Sequence, residues 1–155
     1  MQSGSVASGT STLSGLTTAD GRRPRVAIVG GTPAGAMVAT VLCDQFGCTP
    51  FNTASGESVL ALLRRDFPLD LVVLDLSVPD MDGIVAAQLI RALGARGALP
   101  VLALADDRAD ITGPRARGAG FAGAVIKPYS PRELYCAMQV ALARNLAAAP
   151  AAGLA

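Results

Sequence analysis

The sequence predicts an α/β fold with a doubly wound, five-stranded parallel sheet. Five short apolar runs alternate with five longer, mostly amphipathic segments, which is the pattern of repeated strand–helix units. Three of the runs are nearly continuous in Val, Leu, Ile and Ala, as expected for strands that are buried on both faces. The connecting segments are only a few residues long, which suits the short crossovers of such a sheet.

The predicted elements follow one another in order along the chain. The strands are expected at Val26–Val29, Thr49–Asn52, Leu71–Leu74, Pro100–Leu104 and Ala122–Ile126, of which the second is the weakest. The helices are expected over residues 33–46, 55–65, 83–94, 107–118 and 131–147. Thr32-Pro33 offers an N-cap followed by proline at the first helical position. Ser130 and Glu133 form a capping box before the last helix.

A glycine–proline pair interrupts the fourth predicted helix. Gly113 and Pro114 fall inside the segment 107–118. In a helix interior, glycine costs about 1 kcal/mol and proline about 3 kcal/mol relative to alanine. We therefore expect this helix to be short, broken or mobile.

The length of 155 residues suits a single domain, which we expect over residues 23–147. Residues 1–22 are rich in Ser, Thr and Gly and have no apolar period, so they are expected to form a flexible N-terminal tail. Residues 148–155 are expected to form a flexible C-terminal tail.

Composition and charge exclude several classes of function. The net charge is only +1 and the arginines are dispersed, so no nucleic-acid partner is expected. A membrane span needs about 18 consecutive apolar residues, and no such run is present. Three cysteines without a CxxC spacing suit the reducing cytoplasm, which is the expected location. Since histidine is absent, a phosphohistidine donor, a histidine metal site and a Ser-His or Cys-His catalytic pair are excluded.

Two charged residues stand at predicted strand ends, where ligands and chemistry gather in parallel α/β sheets. Asp75 follows the third strand and precedes a loop that contains proline and glycine, so it is well placed as a nucleophile. Lys127 follows the fifth strand and is the only lysine in the chain. Its compact ammonium group suits the neutralisation of a phosphate.

These residues lie in two segments that resemble the receiver domain of two-component response regulators. The segments are LVVLDLSVPDMDG at Leu71–Gly83 and VIKPYSPREL at Val125–Leu134, and the likeness extends from about Arg25 to Leu146. The resemblance implies a (βα)5 receiver of the flavodoxin-like fold. It also implies that Asp75 is the phosphoacceptor and that Lys127 contacts the phosphoryl oxygens, with a cis bond before Pro128.

The sequence departs from the family pattern at three features of the site. Receivers end the first strand with two acidic residues that hold Mg²⁺, and Gly30 and Gly31 stand at those positions. The hydroxyl residue expected after the fourth strand is Ala105, and the aromatic residue expected three positions before the lysine is Ala124. Both switch positions are therefore degenerate.

No metal site is expected from the remaining ligands, because Asp75 and the backbone carbonyl of Ser77 are poor anchors for a dication that prefers several oxygens. No cofactor is expected either, and Mg²⁺ only if another acid rescues the site. Asp80, Asp82 and Asp106 are candidates for such a rescue, although the first two are expected to cap helix 83–94.

The resemblance implies a divergent receiver that is not an enzyme, or at most an autophosphorylating phosphoacceptor. We expect it to act mainly through contacts with a histidine kinase, a phosphotransfer protein or another signalling protein, and it could form a homodimer. The alternative is a functional phosphoacceptor that is phosphorylated on Asp75. A third hypothesis is a dinucleotide- or flavin-binding fragment, since Val26–Met37 approximates a G-x-G-x-x-G fingerprint. Thr32 replaces its central glycine, and no acid follows the second strand to hold a ribose.

Overall fold

A computed structural model of the chain describes residues 15–94 and 98–154, with side chains described as far as residue 143. The strands and helices alternate along the described chain. They are β1 (Arg25–Val29), α1 (Pro33–Gln45), β2 (Thr49–Thr53), α2 (Gly56–Arg64), β3 (Leu71–Asp75), α3 (Gly83–Leu93), β4 (Val101–Ala105), α4 (Ala109–Thr112), α5 (Pro114–Ala119), β5 (Gly123–Ile126) and α6 (Pro131–Leu154). Each strand agrees with its prediction to within one residue at either end.

The five strands form one parallel sheet in the order β2-β1-β3-β4-β5, which confirms the predicted doubly wound fold. The chain reverses its direction of travel across the sheet between β1 and β3, so a crevice opens beyond their carboxyl ends. In the register of the sheet, Val29 at the end of β1 lies opposite both Thr53 and Leu74. Asp75 lies opposite Leu104 on the other side. The ends of β1 and β3 are therefore immediate neighbours.

The sheet is covered on both faces, which explains why the central strands are apolar throughout. All five residues of β3 and all five of β4 are buried. Along β1, Val26 and Ile28 join the core formed with α1 and α6, whereas Ala27 and Val29 join the core formed with α2, α3 and α5. This alternation follows from the period of two along a strand.

The fourth predicted helix is broken, as expected from its glycine–proline pair. It is divided into α4, with four residues, and α5, with six. Gly113 between them has an extended backbone with ψ of 166°, and Pro114 begins α5. None of the residues of α4 is buried, so α4 is held to the domain by few apolar contacts.

The structure describes a part of each of the two expected tails. The expected tail of residues 1–22 is described only from Gly15 onward, where Leu16 is buried and its N–H donates to the carbonyl of Phe46. At the other end, α6 continues to Leu154 rather than ending at residue 147. The segment is rich in alanine, the residue with the highest helix propensity, which favours the longer helix. Over the described residues, no helix has the length and apolar character that crossing a membrane requires.

Candidate functional site

Asp75 is the last residue of β3, and both of its carboxylate oxygens have partners. Its Oδ1 accepts hydrogen bonds from the backbone N–H of Ser77 at 2.9 Å and from the Ser77 hydroxyl at 2.5 Å. Its Oδ2 accepts a bond from Lys127 Nζ at 2.7 Å. The Asp75 side chain is only 9% exposed. The two residues that the sequence predicted to meet at the strand ends are therefore in direct contact.

The order of the strands brings Lys127 to Asp75. Ile126, the last residue of β5, lies opposite Ala105 on β4, and the N–H of Lys127 donates to the carbonyl of Ala105. Lys127 thus lies two strands away from Asp75, and its long side chain reaches across the end of β4. The Lys127–Pro128 peptide bond is cis, as the resemblance implied.

Lys127 also has a second acidic partner. Its Nζ lies 3.1 Å from Asp106 Oδ1, one residue beyond the end of β4. The Lys127 side chain is 29% exposed and the Asp106 side chain is 71% exposed. Asp106 was considered from the sequence only as a rescuing metal ligand. Its position directly after β4, next to the residue directly after β5, is the signal that could have identified it as a partner of the lysine.

The electrostatics of the site favour the charged form of both partners. Burial raises the pKa of Asp75, but the hydrogen bonds from Lys127 and Ser77 outweigh it and leave that pKa below its ordinary value. Burial lowers the pKa of Lys127, but its hydrogen bonds with Asp75 and Asp106 outweigh burial and leave that pKa above its ordinary value. At neutral pH, Asp75 and Lys127 therefore form an ion pair.

The loop between β1 and α1 takes a path that only glycine adopts readily. Gly30 has φ of +76° and Gly31 has φ of +86°, the region that L-residues with a Cβ rarely occupy. A Cβ on Gly31 would lie 2.8 Å from Asp75 Oδ2, and a Cβ on Gly30 would lie 2.6 Å from Val78 Cγ1. The loop backbone therefore packs against Asp75 and Val78, and no acidic side chain extends from Gly30 or Gly31 towards Asp75.

The residues around Asp75 do not fit a magnesium ion. Mg²⁺ demands near-octahedral oxygen coordination and is usually held by one or two carboxylates together with water. Here the Asp75 carboxylate is already bonded through both oxygens, the nearby Asp106 carboxylate contacts Lys127, and Gly30 and Gly31 bring no side-chain oxygen. Within residues 15–94 and 98–143, no three His, Cys, Asp or Glu side chains form a group that could hold a metal.

The two aspartates of the β3–α3 loop have structural partners of their own. Asp82 caps α3, as expected, by accepting from the N–H groups of Ile84 and Val85. Asp80 was also expected to cap α3, and that prediction is wrong. Its carboxylate instead accepts from the N–H groups of Gly56 and Glu57 at the start of α2. The pKa of Asp80 is lowered mainly by the bond from Glu57, and that of Asp82 mainly by the bond from Arg115.

The two residues that stand at the expected switch positions lie on β4 and β5. Ala105 ends β4 and is 1% exposed, and it has no hydroxyl with which to bond a phosphoryl oxygen. Ala124 lies on β5 and is exposed, and no ring is present there to change its rotamer.

The glycine-rich segment does not provide the contacts of a dinucleotide site. The hydroxyl of Thr32 accepts from the N–H of Gly35 and caps α1. Thr53, which ends β2, donates its hydroxyl to the carbonyl of Ile28, so no acid stands there to bind a ribose. A cavity of about 460 Å³ lies beside this segment, between α1 and the end of β2, and its lining includes Met37, Val41 and Asn52.

Comparison with known proteins places this geometry in a family. A family model described as the response regulator receiver domain matches residues 26–139. The chain is similar to the DNA-binding response regulator MtrA of Mycolicibacterium smegmatis, with 30% identity over 128 residues that cover 81% of this chain and 54% of the relative. It is also similar to the probable transcriptional regulatory protein TcrX of Mycobacterium tuberculosis, with 33% identity over 132 residues that cover 82% and 53%. The chain spans about half the length of these relatives.

Solved structures agree on the fold. The receiver domain of a sensor histidine kinase from Pseudomonas aeruginosa PAO1, described with a magnesium ion coordinated in its active site cleft, matches with a TM-score of 0.68 at 23% identity, covering 78% of this chain and 98% of that one. The family match takes in more than half of the sequence and includes β1 to β5, Asp75 and Lys127. The chain therefore belongs to the response regulator receiver domain family of two-component signalling.

Proposed function

We propose that this domain is a divergent receiver that signals mainly through protein–protein contacts, with Mg²⁺-dependent phosphorylation of Asp75 weakened or absent. One observation carries the proposal. The Asp75–Lys127 pair is intact, while the neighbouring loop follows a glycine-only path in which a Cβ at residue 31 would lie 2.8 Å from the acceptor carboxylate. Glycines stand where the two acids that would hold Mg²⁺ are expected, and Asp75 itself occupies the space that a side chain at residue 31 would need.

The physical consequence concerns charge. Phosphoryl transfer depends on positioning and on neutralising charge, and the metal supplies much of that neutralisation. A phosphoryl group on Asp75 would carry a charge of roughly −1.5 to −2. Lys127 would be the principal cation to balance it, and Lys127 already contacts Asp106 at 3.1 Å. Loss of the metal ligands therefore disfavours the phosphorylated form.

An exposed apolar surface on α1 supports the protein–protein part of the proposal. Met37, Val38 and Val41 are 67%, 51% and 49% exposed, and Met37 and Val41 also border the cavity beside the glycine loop. Grouped apolar side chains of this kind are typical of contact surfaces. The partners proposed are a histidine kinase, a phosphotransfer protein or another cytoplasmic signalling protein, with a second copy of the chain as a further candidate.

The second candidate function is a working phosphoacceptor, and the ion pair itself favours it. Asp75 and Lys127 lie 2.7 Å apart at the carboxyl edge of the sheet, which is the arrangement that a phosphoryl acceptor and its contacting cation require. On this hypothesis a histidine kinase or a phosphotransfer protein would phosphorylate Asp75 despite the missing acids.

An NMR titration separates the two functions. Backbone amide signals are followed as Mg²⁺ and then beryllofluoride are added to the wild type and to Asp75→Asn. We expect no shifts centred on Asp75 in either protein. Shifts that cluster at Asp75 in the wild type and vanish in Asp75→Asn would refute the proposal and establish the phosphoacceptor. Intact-mass analysis after incubation with acetyl phosphate provides a second measurement of the same point.

A further inference from the structure

Lys127 is shared between two carboxylates that differ in how firmly they are held. Asp75 is 9% exposed and is fixed by two bonds from Ser77 as well as by the lysine. Asp106 is 71% exposed, and its contact with Lys127 is 3.1 Å long, compared with 2.7 Å for Asp75. If a further negative charge competes for Lys127, the exposed carboxylate is the partner that gives way.

The position of Asp106 connects this competition to a loosely held part of the fold. Asp106 is the first residue after β4, and Asp107, which follows it, accepts a bond from the N–H of Ala109 at the start of α4. Since α4 has no buried residue and ends at Thr112, directly before the extended Gly113, few apolar contacts resist its displacement. A cavity of about 430 Å³, bordered by Ser77, Asp82, Asp106 and Arg115, leaves room for the loop to rearrange.

We infer that Asp106 is an internal competitor for Lys127, which couples the charge at Asp75 to the position of the β4–α4 loop. This contact would do the work of the hydroxyl group that Ala105 lacks, but it would move the loop away from Asp75 and not towards it. A hydroxyl would be drawn towards a new phosphoryl group, whereas Asp106 is released from the lysine and repelled. The inference rests on the proposed function only in taking Asp75 as the residue at which a regulatory change of charge occurs. It applies to any gain or loss of charge at Asp75.

The coupling is reciprocal, as any linkage between two sites must be. When the charge of Asp106 is removed, Lys127 forms an ion pair with Asp75 alone. When the charge of Asp75 is removed, Lys127 forms an ion pair with Asp106 alone, and this contact holds the β4–α4 loop more firmly. Both changes are made by replacing a carboxylate with an amide of nearly the same shape, so neither requires a metal or a phosphoryl donor.

The unique lysine makes a direct test possible, because lysine labelled with ¹³C and ¹⁵N gives one ε-methylene signal and one ammonium signal in the full chain. Asp106→Asn is expected to shift the ε-methylene signal of Lys127 and to accelerate exchange of its ammonium protons with water, by up to roughly fivefold for an exposed ion pair. Asp106→Glu should restore the signal towards its original position. Asp107→Asn is the matched control, since its carboxylate does not contact Lys127 and an amide oxygen can still accept the bond from Ala109.

The second arm tests the coupling to the loop. Asp75→Asn should move the amide signals of residues 106–112 when residue 106 is Asp, and should leave them unmoved when residue 106 is Asn. An unchanged Lys127 signal in Asp106→Asn, or a loop response that persists without the Asp106 charge, would overturn the inference. Binding of Mg²⁺ and beryllofluoride at Asp75 would refute the proposed function and leave this result intact, so the two failures are distinguishable.

Discussion

The carboxyl ends of β1 and β3 are neighbours in the sheet, yet they differ in charge and in backbone conformation. The end of β3 keeps a buried aspartate in contact with Lys127, with every oxygen of the carboxylate bonded. The end of β1 has no charged side chain, and its two glycines have positive φ and pack against Asp75 and Val78. The hydrogen bonds from Ser77 and Lys127 therefore maintain the ion pair without acidic side chains at the end of β1.

We expect the largest loss of stability when an acid is introduced at the end of β1. Gly31→Asp places a side chain at φ of +86° and a Cβ 2.8 Å from Asp75 Oδ2. We expect a loss of about 1–3 kcal/mol in the free energy of unfolding, the usual cost of a strained backbone, without gain of Mg²⁺ binding. Thermal melts with and without Mg²⁺ measure both. Gly118→Ala in α5 is the control, because nothing lies within 4 Å of its Cβ and its φ is not positive, and it should not destabilise the domain.

Removing the lysine tests the other side of the comparison. Lys127→Met leaves Asp75 buried with one oxygen unpaired, which should cost about 1–3 kcal/mol in the free energy of unfolding. It should also raise the pKa of Asp75, since the bond from Lys127 is the largest influence that lowers it. Urea denaturation measures the stability. Arg64→Met, which breaks the exposed pair with Glu57, should change stability by less than about 1 kcal/mol; an equal loss in both variants would mean that the site pair is no stronger than a surface pair.

Substitution of Asp80, in the β3–α3 loop, should have an effect of intermediate size on stability. Asp80→Ala removes two hydrogen bonds at the start of α2 and should cost about 1 kcal/mol in the free energy of unfolding, as loss of a helix cap does. It should leave the Lys127 side-chain signal unchanged, because the Asp80 carboxylate is bonded to the start of α2 and not to the lysine. A shift of that signal on substitution would place Asp80 in the site after all.

The smallest expected effect is a dependence of stability on pH, because burial opposes the hydrogen bonds that lower the pKa of Asp75. A carboxyl whose folded pKa lies below its unfolded pKa contributes stability that is present above the unfolded value of about 4. That contribution is lost as the pH falls through the folded value. The difference in melting temperature between the wild type and Asp75→Asn should therefore narrow below about pH 4. A difference that stays constant down to pH 2 would contradict the lowered pKa.

The sequence was sufficient to predict the sheet and the ion pair because both depend on local patterns. Continuous Val and Leu runs identify buried parallel strands, and residues directly after such strands meet at one edge of the sheet, as Asp75 and Lys127 do. The break in the fourth helix likewise follows from the local pair Gly113-Pro114. The end of α6 at Leu154 was missed, because Pro150 and Gly153 suggested an earlier end.

What could not be predicted depends on contacts between distant parts of the chain. Asp80 caps α2, which lies more than twenty positions earlier in the sequence, because the β3–α3 loop passes over the start of that helix. The contact of Asp106 with Lys127 was missed although the sequence held a signal for it, because the two residues directly follow β4 and β5, which are adjacent in the sheet. The sequence shows two glycines where the family pattern expects acids, but only the backbone angles show that both glycines have positive φ.

The path of the glycine loop makes protein design at this site a problem of two parts. An acid introduced alone at residue 30 or 31 places its Cβ less than 3 Å from Val78 or Asp75, and it does so at a positive φ that residues with a Cβ rarely adopt. A designed metal ligand at either position therefore requires a rebuilt backbone between β1 and α1 as well as a new side chain.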